Sequence, residues 1–142
     1  MTFNMCKTDG YPINWPQRRL PIIECFTAVT PDILSVQELH PLLHDTIVEG
    51  LPTHNFVQDN FPGWQNEGNI YWNRELFEMV EYGMIDIGIV EPLRRLFWVR
   101  LNIKDGHDDP AKRDLLVANA HYTWEGHVEE RTSDINLRKQ QA

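Results

Sequence analysis

The chain has 142 residues, 13 of them Lys or Arg against 21 Asp or Glu, for a formal net charge of −8. That is one domain's length, and a 42% hydrophobic content with five Trp, six Phe and four Tyr is ample for a core. The acidic balance excludes a broad basic surface for nucleic acid, although a divalent cation can supply positive charge at a phosphate. No apolar run approaches the roughly 18 residues of a membrane span, no charged-then-apolar leader opens the chain, and no repeat is visible. The expectation is a soluble, cytoplasmic protein.

Met1 to Cys6 reads as a short strand in which the polar Asn4 needs a partner, and Lys7 to Pro16, with Asp9-Gly10, Pro12 and Pro16, reads as a turn-rich connection. Leu20, Ile23, Cys25, Phe26 and Val29 recur at helical spacing, predicting a helix from Gln17 to about Val29 with Pro21 in its first turn. Cys6 and Cys25 lack CxxC spacing and are expected to be reduced and buried.

Pro31-Asp32-Ile33-Leu34-Ser35-Val36-Gln37-Glu38 is the stretch around which the rest is organised. Ile33, Leu34 and Val36 form the apolar run of a strand buried on both faces, and Pro31 blocks helix continuation. Glu38 therefore stands at a strand's carboxyl end, the edge where α/β sheets bind ligands. On position alone it is a surface carboxylate.

A helix follows from about Pro41 to Glu49, closed by Gly50, and then three strands over about His54–Gln58, Gly68–Trp72 and Phe77–Gly83. Leu96–Ile103 reads as an internal strand and Lys104–Lys112 as a loop. Leu115–Ala118 is a second buried-strand run, and it too ends in polar chemistry, Asn119-Ala120-His121. Glu129–Ala142 is charged and helix-compatible. His40, His44, His54, His107 and His127 show no zinc-site spacing and read as surface residues. The pair Arg94 and Arg95 reads as a solvated strand start. Four tryptophans read as core or loop anchors, and Trp124 is kept as a substrate contact.

Taken in order, these motifs resemble the endonuclease/exonuclease/phosphatase superfamily of metal-dependent phosphoesterases. Thr2-Phe3-Asn4 is similar to that family's first strand, Trp15-Pro16-Gln17-Arg18-Arg19 to its first helix entry, and Pro31 to Glu38 to its strand ending in Gln-Glu. The stretch from Asn69 to Phe77 resembles its hairpin, Arg94 to Leu101 a later strand, Asn119-Ala120-His121 its Asn-Thr-His, and Arg138-Lys139-Gln140-Gln141-Ala142 the helix beyond. Ala120 replaces the usual Thr, and Gly83-Met84-Ile85-Asp86-Ile87 lacks the aromatic that often follows the glycine.

The resemblance implies an α/β fold, the four-layer α/β/β/α sandwich of deoxyribonuclease-like enzymes. Residues 1–142 would supply its first half with a mixed sheet, the domain being truncated at its C-terminus. It implies hydrolysis of phosphoester bonds with Mg²⁺ or Mn²⁺, held through Glu38 and Asn4. His121 and Asn119 are the implied catalytic residues. The family's Gly-Asp-x-Asn and Ser-Asp-His motifs, which carry the base, have no counterpart before Ala142. The substrate is left open among DNA, RNA, inositol phosphate and phospholipid. The competing expectation is a catalytically incomplete fragment or interaction module whose exposed sheet face pairs with a partner chain or a second copy.

Overall fold

The computed structural model describes residues 1–8, 11–12, 14–88, 91–104 and 114–122. Residues 105–112 of the loop expected over Lys104–Lys112, Trp124, His107, His127 and the helix expected over 129–142 lie outside the described residues. In chain order the elements are β1 (Thr2–Asn4), β2 (Lys7–Thr8), β3 (Tyr11–Pro12), α1 (Trp15–Val29), β4 (Ile33–Gln37), α2 (Pro41–Gly50), β5 (His54–Phe56), α3 (Gly63–Asn66), β6 (Gly68–Asn73), β7 (Phe77–Ile85), β8 (Leu96–Ile103) and β9 (Asp114–Asn119).

A four-stranded sheet has the order β1-β4-β6-β5 and is mixed: β1 lies parallel to β4, whereas β4, β6 and β5 alternate in direction. A second, antiparallel sheet has the order β7-β8-β9. Trp15, Ile22 and Phe26 of α1 and Leu43 and Ile47 of α2 pack with Leu34, Val36 and Tyr71 on one face of the first sheet. On the other face Ile70, Trp72, Val57 and Trp64 meet Phe97, Val99 and Leu101 of β8. The layers are thus helices, mixed sheet, antiparallel sheet, and β4 is central because it is covered from both sides, as its apolar run demands.

Several local details depart from expectation. The connection after β1 contains a two-residue antiparallel hairpin, β2 with β3. Helix α1 begins at Trp15, so Pro16 occupies the first turn, where a missing N–H costs nothing, and Pro21 lies inside the helix on its exposed side. The helix stops at Thr30, left-handed at φ 39°, whose N–H bonds Phe26 O at 2.8 Å, with Pro31 barring continuation. His40 caps α2 by accepting from the Leu42 N–H at 3.2 Å. Gly50 is the last residue of α2, not a residue beyond it. A Cβ there would stand 3.1 Å from Phe26 Cβ, so the glycine serves the approach of α2 to α1.

Leu115–Ala118 is not buried on both faces: burial alternates along β9, and Leu116 is 66% exposed because the second sheet is covered on one side only among the described residues. Cys6 is exposed, in a left-handed turn after β1, and Cys25 is half-buried; neither is a core thiol. Two histidines expected at the surface are not there. His54 is buried and donates through Nε2 to Pro31 O at 2.6 Å, while half-buried His44 contacts the Tyr71 hydroxyl at 2.7 Å.

Candidate active site

Parallel pairing of β1 with β4 puts Asn4 opposite Gln37, so the ends of both strands open on one edge. The chain leaves β4 through Glu38 in the left-handed region, φ 55°. For a residue other than glycine that costs on the order of 1–3 kcal/mol, offset by surroundings that fix it. Those surroundings are two donors: Asn4 Nδ2–H to Glu38 Oε1 at 2.9 Å and the Lys7 backbone N–H to Oε2 at 2.8 Å. Asn4 is itself oriented, because its Oδ1 accepts from the Cys6 N–H at 2.8 Å. Each Glu38 oxygen keeps a lone pair for another partner.

The end of β9 reaches the same edge. Asn119 is 4% exposed, and its Nδ2 donates to Val36 O at 2.7 Å and to Asn69 O at 3.2 Å. Its Oδ1 accepts from Gln37 Nε2 at 2.6 Å. The side chain therefore bolts the second sheet onto β4 and β6, and both of its N–H donors are used in doing so. Two residues on, His121 Nε2 stands 3.7 Å from Glu38 Oε1, with the two side chains 24% and 19% exposed. His121 Nδ1 is buried and without a partner among the described residues. Burial, then the nearby Arg94 charge, pushes the imidazole below its ordinary pKa, and the carboxylates Glu38, Glu91 and Glu67 oppose the shift without reversing it.

Three further charged residues, Lys7, Glu67 and Arg94, lie beside the site. Lys7 Nζ donates to Glu67 Oε1 at 2.8 Å, to Leu39 O at 3.3 Å and to Asn66 O. Arg94 Nε donates to Glu67 Oε2 at 2.9 Å and Nη1 to Glu91 Oε1 at 3.0 Å. The side chains of Lys7, Glu67 and Arg94 are 12–13% exposed. Arg94 is therefore not a solvated strand start but half of a nearly buried ion pair, and Arg95, at 20%, pairs with Asp86 and lies over the Phe61 ring. The signal for Glu67 is its place just before β6, whose first residue, Gly68, pairs with Gln37. Only the antiparallel register reveals that proximity.

No group of three His, Cys, Asp or Glu side chains able to hold a metal ion occurs among the described residues. The carboxylate of Glu38 beside an amide nonetheless suits a hard divalent cation, since Mg²⁺ is held by one or two carboxylates and fills its other positions with water and phosphate oxygens. Trp124 lies outside the described residues.

No protein-family model matches the sequence, and no curated protein matches it. Solved structures do match in shape. D. rerio TDP2 complexed with a single-strand DNA product superposes with a TM-score of 0.67 at 18% identity, over 92% of this chain and 48% of that one. A Bacteroides thetaiotaomicron mannosyl-6-phosphatase gives 0.61 at 20% identity, over 81% of this chain and 48% of that one. An endonuclease/exonuclease/phosphatase protein from Bacteroides vulgatus gives 0.58 at 14% identity, over 72% and 46%. No helix among the described residues is long and apolar enough to cross a membrane. The chain has the fold of the endonuclease/exonuclease/phosphatase proteins, the deoxyribonuclease-like sandwich, and spans about half the length of the solved structures it matches.

Proposed function

We propose that this chain contributes one half of a site for divalent-metal-dependent hydrolysis of phosphoester bonds. The observation that carries the reading is the Glu38 carboxylate, held in a left-handed turn by Asn4 and the Lys7 N–H with His121 3.7 Å away. A carboxylate so constrained is costly as mere surface and useful as a ligand. Glu38 is the residue that would hold Mg²⁺ or Mn²⁺, with Asn4 keeping its carboxylate turned to the site. When bound, such an ion neutralises charge on the phosphoryl oxygens and makes water a better nucleophile at neutral pH.

In the reaction a water oxygen bonds to phosphorus and gives up a proton to the base, the P–O bond to the leaving group breaks, and the leaving oxygen takes a proton from solvent or from His121. His121, whose imidazole burial and the Arg94 charge push below its ordinary pKa, donates a hydrogen bond to a phosphoryl oxygen or acts as the acid for the leaving oxygen. Asn119 acts by holding β9, and with it His121, at the level of Glu38, and Trp124 contacts the substrate. The base for the attacking water is assigned to the other half of the fold and not to a residue of this chain. A nucleic-acid phosphodiester suits this site, supported by the single-strand DNA product in the TDP2 structure and consistent with an acidic chain that relies on a cation.

A second reading is favoured by the outer face of the second sheet, where Leu116 is 66% and Ile85 51% exposed. In that reading the chain is a catalytically incomplete module that docks another polypeptide there. One assay separates the two: hydrolysis of bis(p-nitrophenyl) phosphate with Mg²⁺ or Mn²⁺, using Glu38→Ala and His121→Ala as controls. Turnover lost in both variants supports the phosphoesterase. No turnover, with no effect of either cation on thermal stability, leaves the docking module.

A further inference from the structure

Glu67 lies beside the proposed site and is assigned no part in hydrolysis, yet its two oxygens hold two cations brought from distant parts of the chain. We infer that Glu67 is a positioning residue, which by anchoring Lys7 and Arg94 keeps the Lys7 backbone N–H on Glu38 and the Arg94 guanidinium in place. Its functional meaning rests on the phosphoesterase reading.

Hydrogen-bond capacity supports this. An ammonium has three N–H donors, and Lys7 spends them on Glu67 Oε1, Leu39 O and Asn66 O. Lys7 is thereby saturated and unsuited to grip a substrate phosphate. What remains to it is placement: its own backbone N–H meets Glu38 Oε2 at 2.8 Å. Strand β2 pairs only with β3 among the described residues, so the position of that N–H depends on side-chain anchors of this kind. On the other side Glu67 Oε2 fixes Arg94 Nε, and Glu91 fixes Nη1. With Glu67 neutralised, Lys7 keeps only neutral oxygens and no counter-charge at a site 12% exposed. An ammonium there then moves toward water and carries the backbone of β2 with it.

The test uses the intact chain, with amide hydrogen exchange at Lys7 and Mn²⁺ affinity as readouts. Glu67→Gln, with circular dichroism and the exchange of β8 amides unchanged, is expected to speed exchange at Lys7 roughly tenfold or more. It is also expected to weaken Mn²⁺ binding roughly 10- to 100-fold, the usual effect of removing a residue that orients a ligand. Glu67→Asp, which keeps the charge, recovers part of both. Unchanged exchange and affinity in Glu67→Gln overturn the inference. Should that variant not fold, Lys7→Met decides by the same readouts, since it removes the ammonium and leaves Glu67 paired with Arg94. Glu38→Ala is the separate control: if it does not weaken Mn²⁺ binding, the phosphoesterase reading fails, while exchange at Lys7 still decides the positioning role.

Discussion

Asn4 meets Glu38 with its Nδ2 while its oxygen is tied to the Cys6 N–H, so the amide acts as a spacer of fixed orientation between two left-handed residues. Asn4→Ala removes one of the two donors on the carboxylate and lets it turn. Mn²⁺ affinity, measured by calorimetry, is expected to fall roughly 10-fold or more with the fold intact; an unchanged value would mean that Lys7 alone holds Glu38. A second titratable residue bears on stability instead. His44 is half-buried against the Tyr71 hydroxyl at 2.7 Å, and burial pushes its pKa below the ordinary 6.5 despite Asp45 nearby. Tyr71 is fully buried and its phenol is pushed well above its usual range, so it stays protonated and donates to neutral His44 Nδ1. With the folded value depressed, the unfolded chain binds more protons as acid is added. The stabilisation is complete above about pH 6.5 and is lost as pH falls through the lower folded value. Melting temperature followed from pH 7.5 to 5 should drop, and drop less in His44→Gln.

Helix α3 is short, but it delivers Trp64 to the core between the sheets and ends just before Glu67. Its first residue, Gly63, has no room for a side chain: a Cβ there would overlap the Leu93 carbonyl oxygen and the Phe61 ring. A backbone carbonyl cannot yield as a flexible side chain does, so Gly63→Ala is expected to cost about 1–3 kcal/mol, measured by denaturant unfolding. The displaced segment from Leu93 to Arg94 should also weaken the Glu67 pair. Much of this element order was legible in the sequence, because β4, β6 and β8 carry apolar runs bounded by proline, glycine and asparagine. Glu38, Asn119 and His121 were legible as strand-end polar residues. The Glu67 anchor was not, since Lys7, Glu67 and Arg94 meet only through the parallel and antiparallel registers around β4. Arg94 and Arg95 looked solvated because their partners, Glu67 and Asp86, lie at sequence separations that no periodicity reports. The alternation along β9 was masked by four consecutive apolar residues, a pattern that fits a strand buried on either one face or two.

At the scale of the molecule, the mixed sheet is sealed between helices and the second sheet, and among the described residues exposed apolar side chains lie both on the helices, as at Leu20 and Val29, and on the outer face of the second sheet. There, rows across the strands join Ile85 to Leu96, Gly83 to Trp98 and Ala118, and Glu81 to Arg100 and Leu116. The face is not uniformly greasy: Arg100 stands 3.7 Å from Glu81 and 3.8 Å from Asp114, pairs too exposed to contribute much. Two copies meeting through this face would bury Leu116 and Ile85 but would bring together chains that each carry −8. The two effects respond oppositely to salt. Repulsion is screened over a Debye length of about 10 Å at 0.1 M, whereas apolar burial is not weakened. Sedimentation velocity is therefore expected to show monomer at low ionic strength and growing association as salt is raised. Leu116→Asp, at a position so exposed that folding stability should change by less than about 0.5 kcal/mol, should keep the chain monomeric throughout. Association that persists in Leu116→Asp would place the contact elsewhere, and association that weakens with salt would identify it as electrostatic.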